Sequence, residues 1–197
     1  VEADWSGASY WYEIAALAEE ADISISGLQE NSLQGDSEIH HWFKELGVKA
    51  FFEDEGLRLQ NEGSATSFFQ RDFANQPDMV QTFVVCCAMK NIPFSISGAE
   101  SLKIKETDRI QALINELAKL GIPVREAKPG TLEWDGKRFE LADTPPVIST
   151  YKDHRMALAF APATLITGKL IIEDPGVVVK SYPGFWDDLQ KAGFGIE

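Results

Sequence analysis

The chain repeats itself, and a repeat limits what it can fold into more than any single motif does. Asp4, Asp78 and Asp153 lie 74 and 75 residues apart, each where an apolar helical pattern begins; Gly47, Gly121 and Gly193 lie 74 and 72 apart, each where a second helical pattern stops. The spacing predicts first helices over 4–18, 77–89 and 156–166, strands over 23–27, 94–98 and 169–173, and second helices over 37–46, 107–120 and 182–191. Hairpins close the first two units, over 48–59 and 124–134. The cues are N-capping Asp or Ser, C-capping Gly and helical or alternating apolar periodicity. Units of helix, strand, helix and hairpin this small cannot each bury an apolar face, so three must share one core. The expectation is an α/β (α+β) fold with pseudo-threefold symmetry, helices inside and small sheets outside. A single domain, 1–197, would hold units at about 1–62, 72–140 and 147–197.

In such a repeat the loop-to-helix junctions of all three units face one end. The first-helix starts carry Asp4/Ser6, Asp78 and Asp153-His154-Arg155; the second-helix starts carry residues 31–36, 105–109 and 180–183. Unpaired N–H groups at six helix starts give that end a positive potential. Lys105, Arg109, Arg155 and Lys180 would add to it, in a chain whose formal net charge is −13. That overall charge argues against nucleic acid as a partner, which calls for a basic face. It also makes one local gathering of cations more telling, and an anion with more than one charge is the natural ligand. The residues Lys103, Lys105, Glu106, Asp108 and Arg109 around one helix start are equally compatible with a solvated, N-capped surface helix.

Cys86 and Cys87 are neighbours in an apolar run and read as buried free thiols of a reducing compartment. The three histidines, two of them the adjacent His40 and His41, show no metal-ligand spacing. No apolar run reaches membrane-spanning length, and residues 1–4 do not resemble a signal peptide. The expected setting is cytoplasmic, with no membrane partner. The absence of an initiator Met suggests a piece of a longer protein.

The segments Leu102-Lys-Ile-Lys-Glu-Thr-Asp-Arg109 and Thr150-Tyr-Lys-Asp-His-Arg-Met-Ala157 resemble the signatures of the 5-enolpyruvylshikimate-3-phosphate (EPSP) synthase family. Asn31-Ser-Leu-Gln-Gly-Asp36, Gln76-Pro-Asp78 and Asp174-Pro-Gly-Val-Val-Val-Lys-Ser-Tyr-Pro183 agree in order and approximate spacing. The resemblance covers nearly the whole chain but only the C-terminal half of the family's sequence, with Val1 near the crossover between two domains. It implies an inside-out α/β barrel of the enolpyruvyl transferase type. The implied reaction transfers the enolpyruvyl group of phosphoenolpyruvate to the 5-hydroxyl of shikimate 3-phosphate, with no metal and no cofactor. The partner it implies is the missing N-terminal domain of the same enzyme, without which the chain is inactive.

By the same resemblance Asp78 is the base toward the 5-hydroxyl, and its seat at a helix start favours the ionised form. Glu106 handles the proton at C3 of phosphoenolpyruvate, and to act as an acid it must hold a proton against its cationic neighbours. Lys180 contacts phosphoenolpyruvate, Lys105 lies near the shikimate hydroxyls, and Arg109 and Arg155 grip carboxylate or phosphate. His154 touches phosphate or hydrogen-bonds structurally. Ser101 stands where some members have an asparagine on the shikimate phosphate, and its reach is shorter. Asp36 and Asp153 read as helix caps, and the large aromatics as core or rim. Enolpyruvyl transfer to a UDP-amino-sugar and a non-catalytic anion-binding domain remain as alternatives.

Overall fold

The computed structural model describes residues 2–140 and 144–197, so Val1 lies outside the described residues. Three first helices form the interior: α1 (Trp5–Leu17), α3 (Val80–Met89) and α5 (His154–Phe160) pack against one another. All ten residues of α3 are buried, as are ten of the thirteen in α1. A helix apolar on every side belongs in a core rather than on a surface. α1 and α3 run side by side, with the Ser9 and Thr82 hydroxyls 3.3 Å apart and Lys90 Nζ donating to the Ala16 carbonyl at 2.7 Å.

The second helices, α2 (Ile39–Trp42), α4 (Arg109–Ala118) and α7 (Phe185–Lys191), each bury one stripe. In α4 that stripe is Arg109, Ile110, Ala112, Leu113, Glu116 and Leu117, the spacing of an amphipathic helix. Gly47, Gly121 and Gly193 follow them at φ 88°, 76° and 99°. Each glycine N–H donates to the carbonyl three residues back, at 3.2, 3.1 and 3.0 Å. One left-handed stop, which favours glycine, is thus used three times.

The sheets lie outside. β1 (Asp22–Ser26) and the hairpin β2 (Val48–Glu53)–β3 (Gly56–Asn61) make an antiparallel sheet of order β1-β3-β2. The second sheet, of order β4-β5-β7-β6, joins β4 (Phe69–Asp72), β5 (Phe94–Ser97), β6 (Arg125–Lys128) and β7 (Thr131–Trp134). In the third, β8 (Val147–Ile148) pairs in parallel with β9 (Ile171–Ile172). The strands β4 and β8, each parallel to the strand that follows the next first helix, were not expected from the sequence. Neither shows sustained alternation, and β8 is two residues long.

Several helix limits differ from expectation for local reasons. The predicted helix 37–46 is a 3-10 turn, the four-residue α2 and a second 3-10 turn. The helix predicted from 107 starts at Arg109, because the Asp108 side chain caps it by accepting from the Gln111 N–H at 3.0 Å. The helix predicted over 156–166 starts earlier, at His154, and tightens into a 3-10 turn at Ala161–Ala163 before α6 (Thr164–Thr167). Pro162, which has no N–H to donate, sits in that turn. The last helix starts after Pro183-Gly184 rather than at Tyr182. Cys86 and Cys87 are buried free thiols, and burial pushes both well above the usual thiol range. No helix among the described residues is long and apolar enough to cross a membrane.

Phe83 of α3 ties the first two units together. Its ring lies 4.4 Å from Phe43, 5.7 Å from Trp42, 5.4 Å from Phe69 and 5.2 Å from Phe73 between centroids. Phe83→Ala should destabilise the fold by about 3–5 kcal/mol in urea unfolding. A loss below about 1 kcal/mol would mean that the units do not share this core.

Candidate active site

The helix junctions deliver one ion-pair network. Asp78 sits in the 3-10 turn Pro77–Met79 that leads into α3, Arg109 opens α4, and Asp153 caps α5 by accepting from the Arg155 N–H at 2.9 Å. Arg109 is 2% exposed and is held by three carboxylates. Its Nε donates to Asp153 Oδ2 at 2.6 Å and its Nη1 to Asp78 Oδ1 at 3.0 Å. Its Nη2 donates to Glu106 Oε2 at 2.8 Å and to Asp153 Oδ1 at 3.3 Å.

Around that buried centre the pairs open toward solvent. Arg155 Nη2 donates to Asp78 Oδ2 at 3.1 Å, and its Nη1 reaches the Tyr10 hydroxyl and the Asp78 carbonyl, each at 3.4 Å. Lys105 Nζ lies 3.7 Å from Asp78 Oδ1. Lys180, at the end of the 3-10 turn Pro175–Lys180, donates to Glu106 Oε1. Lys105, Arg109, Arg155 and Lys180 thus face Asp78, Glu106 and Asp153, which leaves an excess of one positive charge. Every one of these cations has a carboxylate partner.

The hydrogen bond from Lys180, aided by the Arg109 charge, holds the Glu106 carboxyl at about 2 although burial works in the opposite direction. Glu106 is therefore a carboxylate at neutral pH, and the balance that sequence alone leaves undecided falls to the cations. Burial, followed by the neighbouring Arg155 charge, lowers His154, so its imidazole is neutral at pH 7. Burial pushes the Tyr10 phenol up to about 12, against the pull of Arg155.

The expected residues separate into two groups. Asp78, Lys105, Glu106, Arg109, Arg155 and Lys180 come together. Ser101 is exposed on the 3-10 turn Glu100–Ile104 and bonds to none of them among the described residues. His154 is buried, with Nδ1 unpartnered and 3.9 Å from Asp153 Oδ1. Lys103 points elsewhere, to Glu126 at 2.7 Å. Asp36 is not a cap: it accepts from the Ser6 hydroxyl, and its 3-10 turn has no side-chain cap. Asp153 is a cap and also the principal anchor of Arg109, a second role that the Asp-His-Arg order did not reveal. Tyr10 was missed because it falls on the apolar periodicity of α1.

Immediately before Asp153 the backbone is strained. The Asp153 N–H donates to the Thr150 carbonyl at 2.9 Å across a turn whose central residues, Tyr151 and Lys152, have φ of 55° and 58°. Two positive φ values in succession mark a turn usually built from Gly, Asn or Asp. Bulky residues there cost roughly 1–3 kcal/mol each.

Three helix–strand units around a buried arginine, with carboxylates and cations interleaved at one pole, define a symmetric α/β protein with one charged site. The sequence model of the family described as EPSP synthase (3-phosphoshikimate 1-carboxyvinyltransferase) matches residues 1–189, and the chain belongs to that family. A 3-phosphoshikimate 1-carboxyvinyltransferase of Bacteroides fragilis is 53% identical over 197 residues, which is 100% of this chain and 48% of the relative. That of Syntrophobacter fumaroxidans is 39% identical over 192 residues, 97% of this chain and 44% of the relative. A solved EPSP synthase from Acinetobacter baumannii superposes with a TM-score of 0.77 at 26% identity, covering 100% of this chain and 47% of that one. The chain spans just under half the length of the relatives it matches.

Because the folded-state value of Glu106 is depressed from 4.5 to about 2, its pairing stabilises the fold above about pH 4.5 and is lost as pH falls toward 2. Glu106→Gln should therefore be less stable than the parent at neutral pH and lose less further stability on acidification. Urea midpoints across that range measure this, and parallel acid limbs for both proteins would contradict the pairing.

Proposed function

We propose that residues 1–197 form the C-terminal half of a 3-phosphoshikimate 1-carboxyvinyltransferase and supply one wall of its active site. The observation that carries this reading is the single network in which Asp78 and Glu106 are interleaved with Lys105, Arg109, Arg155 and Lys180. Binding alone calls for the cations; two partly exposed carboxylates among them suit proton transfer as well. The two substrates are multiply charged anions whose mutual repulsion fixed cations offset. A cytoplasmic setting accords with the two free thiols.

In this reading Asp78 takes the proton of the 5-hydroxyl of shikimate 3-phosphate as that oxygen bonds to C2 of phosphoenolpyruvate, while C3 gains a proton. C3 then gives a proton back as phosphate leaves C2. Glu106 serves C3, Lys180 and Arg155 receive the charges of phosphoenolpyruvate, and Lys105 stands near the shikimate hydroxyls. Arg109 lies behind them as their anchor.

The pairing of Lys180 with Glu106 indicates how Glu106 acquires its proton in this reading. A substrate anion arriving at Lys180 draws the ammonium away from Glu106 and removes the largest influence that lowers it. Burial, which raises it, is then less opposed. Occupancy and protonation are coupled, so the acid forms when there is something to protonate.

In the full gene product that carries this chain, Glu106→Gln should cut kcat for phosphate release by roughly 10²–10⁴-fold. Residues 1–197 alone should show no turnover. Unchanged turnover in the variant would sink the role of Glu106, and turnover by the chain alone would sink the half-site.

A further inference from the structure

The strained turn before Asp153 is held from one neighbouring helix at two points. At its far end α4 grips Asp153 through Arg109, as described above. Two turns along the same helix is Glu116, a carboxyl with no solvent exposure. Its Oε1 accepts from the Tyr151 hydroxyl at 2.7 Å, and its Oε2 from the Ser149 N–H at 3.0 Å and Lys119 Nζ at 2.6 Å. Asn115 of α4 adds a longer bond to the Tyr151 hydroxyl, at 3.4 Å. One helix therefore holds Ser149, Tyr151 and Asp153, on both sides of Lys152.

Resting on the function proposed above, we propose that Glu116, acting through Tyr151, is a positioning residue for the site. Tyr151 and Lys152 do not adopt positive φ for their own sake, since neither is a residue that such a turn favours. The conformation persists because the surroundings over-determine it. With the Glu116–Tyr151 bond gone, the turn relaxes toward ordinary backbone angles and carries Asp153 with it. Asp153 is both the cap of α5 and the main partner of Arg109, so a shift there re-aims Arg155 in the first turn of α5 and loosens Arg109. Among the described residues Glu116 has no hydrogen bond or ion pair to the network, and this turn is the route by which its hydrogen bonds reach it.

The test uses Tyr151→Phe, which keeps the ring and removes the hydroxyl, and Lys152→Gly, which removes the penalty of positive φ at an exposed position. In the full gene product Tyr151→Phe should lower kcat/KM for enolpyruvyl transfer roughly tenfold, and Glu116→Gln by as much or more. Lys152→Gly alone should leave kcat/KM within about twofold, and in the Tyr151→Phe background it should restore most of the loss. A merely structural role predicts a lower unfolding midpoint with no such rescue. Hydrogen exchange of the amides 153–155 gives a readout independent of activity: faster in Tyr151→Phe, slowed again in the double variant. Wild-type kcat/KM in Tyr151→Phe, a loss that Lys152→Gly does not restore, or unchanged exchange would each overturn the clamp. If the parent protein transfers no enolpyruvyl group, the function proposed above fails, and the exchange measurement still decides the clamp.

Discussion

A guanidinium withdrawn from water must be met by carboxylates, and Arg109 meets three, each from a different part of the chain. Asp153 comes from the start of α5, Asp78 from the turn before α3, and Glu106 from the loop before α4 itself. Removing one partner of such a buried pair costs about 3–5 kcal/mol, because the charge left behind is uncompensated. The three helix starts are therefore pinned to a common point, and every other charged group at this pole is placed by reference to it.

The network grades outward from fixed to exchangeable. Side-chain exposure is 0% for Asp153 and 2% for Arg109, then 13% for Arg155, 35% for Lys105 and 59% for Lys180. Exposed pairs are screened and contribute only about 0–1 kcal/mol each, so a multivalent anion can replace a carboxylate there at little cost. The same replacement at Arg109 would strip charges already committed inside the protein. Although Arg109 reads from sequence as a group that grips substrate, its geometry is that of an anchor, and the cations nearest solvent are Lys180 and Lys105. Their carboxylate partners are Glu106 and Asp78, the two groups proposed to move protons, so in that proposal binding and proton transfer are two sides of one exchange of partners.

Much of this was legible because repeated positions constrain one another. The Asp and Gly phases located three helix starts and three helix stops, and six of the eight expected site residues meet at the junctions those phases define. What stayed hidden was tertiary. Asp153 reads correctly as a cap, but its second bond, to a residue 44 positions away, has no local signature. Tyr10 looks like any apolar-face residue. The positive φ of Tyr151 and Lys152 runs against local preference, and β8 is too short for periodicity to register. Ser101 and His154 entered by motif position alone, and neither side chain hydrogen-bonds to the network among the described residues.

A symmetric scaffold also carries an asymmetric charge pattern. The first unit has neither lysine nor arginine before Lys44, so its two junctions bring no cation to the pole. It brings instead the Ser6–Asp36 pair and the Tyr10 hydroxyl that backs Arg155. Lys105 and Arg109 come from the second unit, Arg155 and Lys180 from the third. The positive potential is therefore displaced from the pseudo-threefold axis toward the boundary between the second and third units, while Asp36 discourages negative charge on the first. Helix starts at all three corners supply a background that symmetry would spread evenly. The side chains break that symmetry, so one fold repeated three times gathers its cations in one place instead of three equivalent ones.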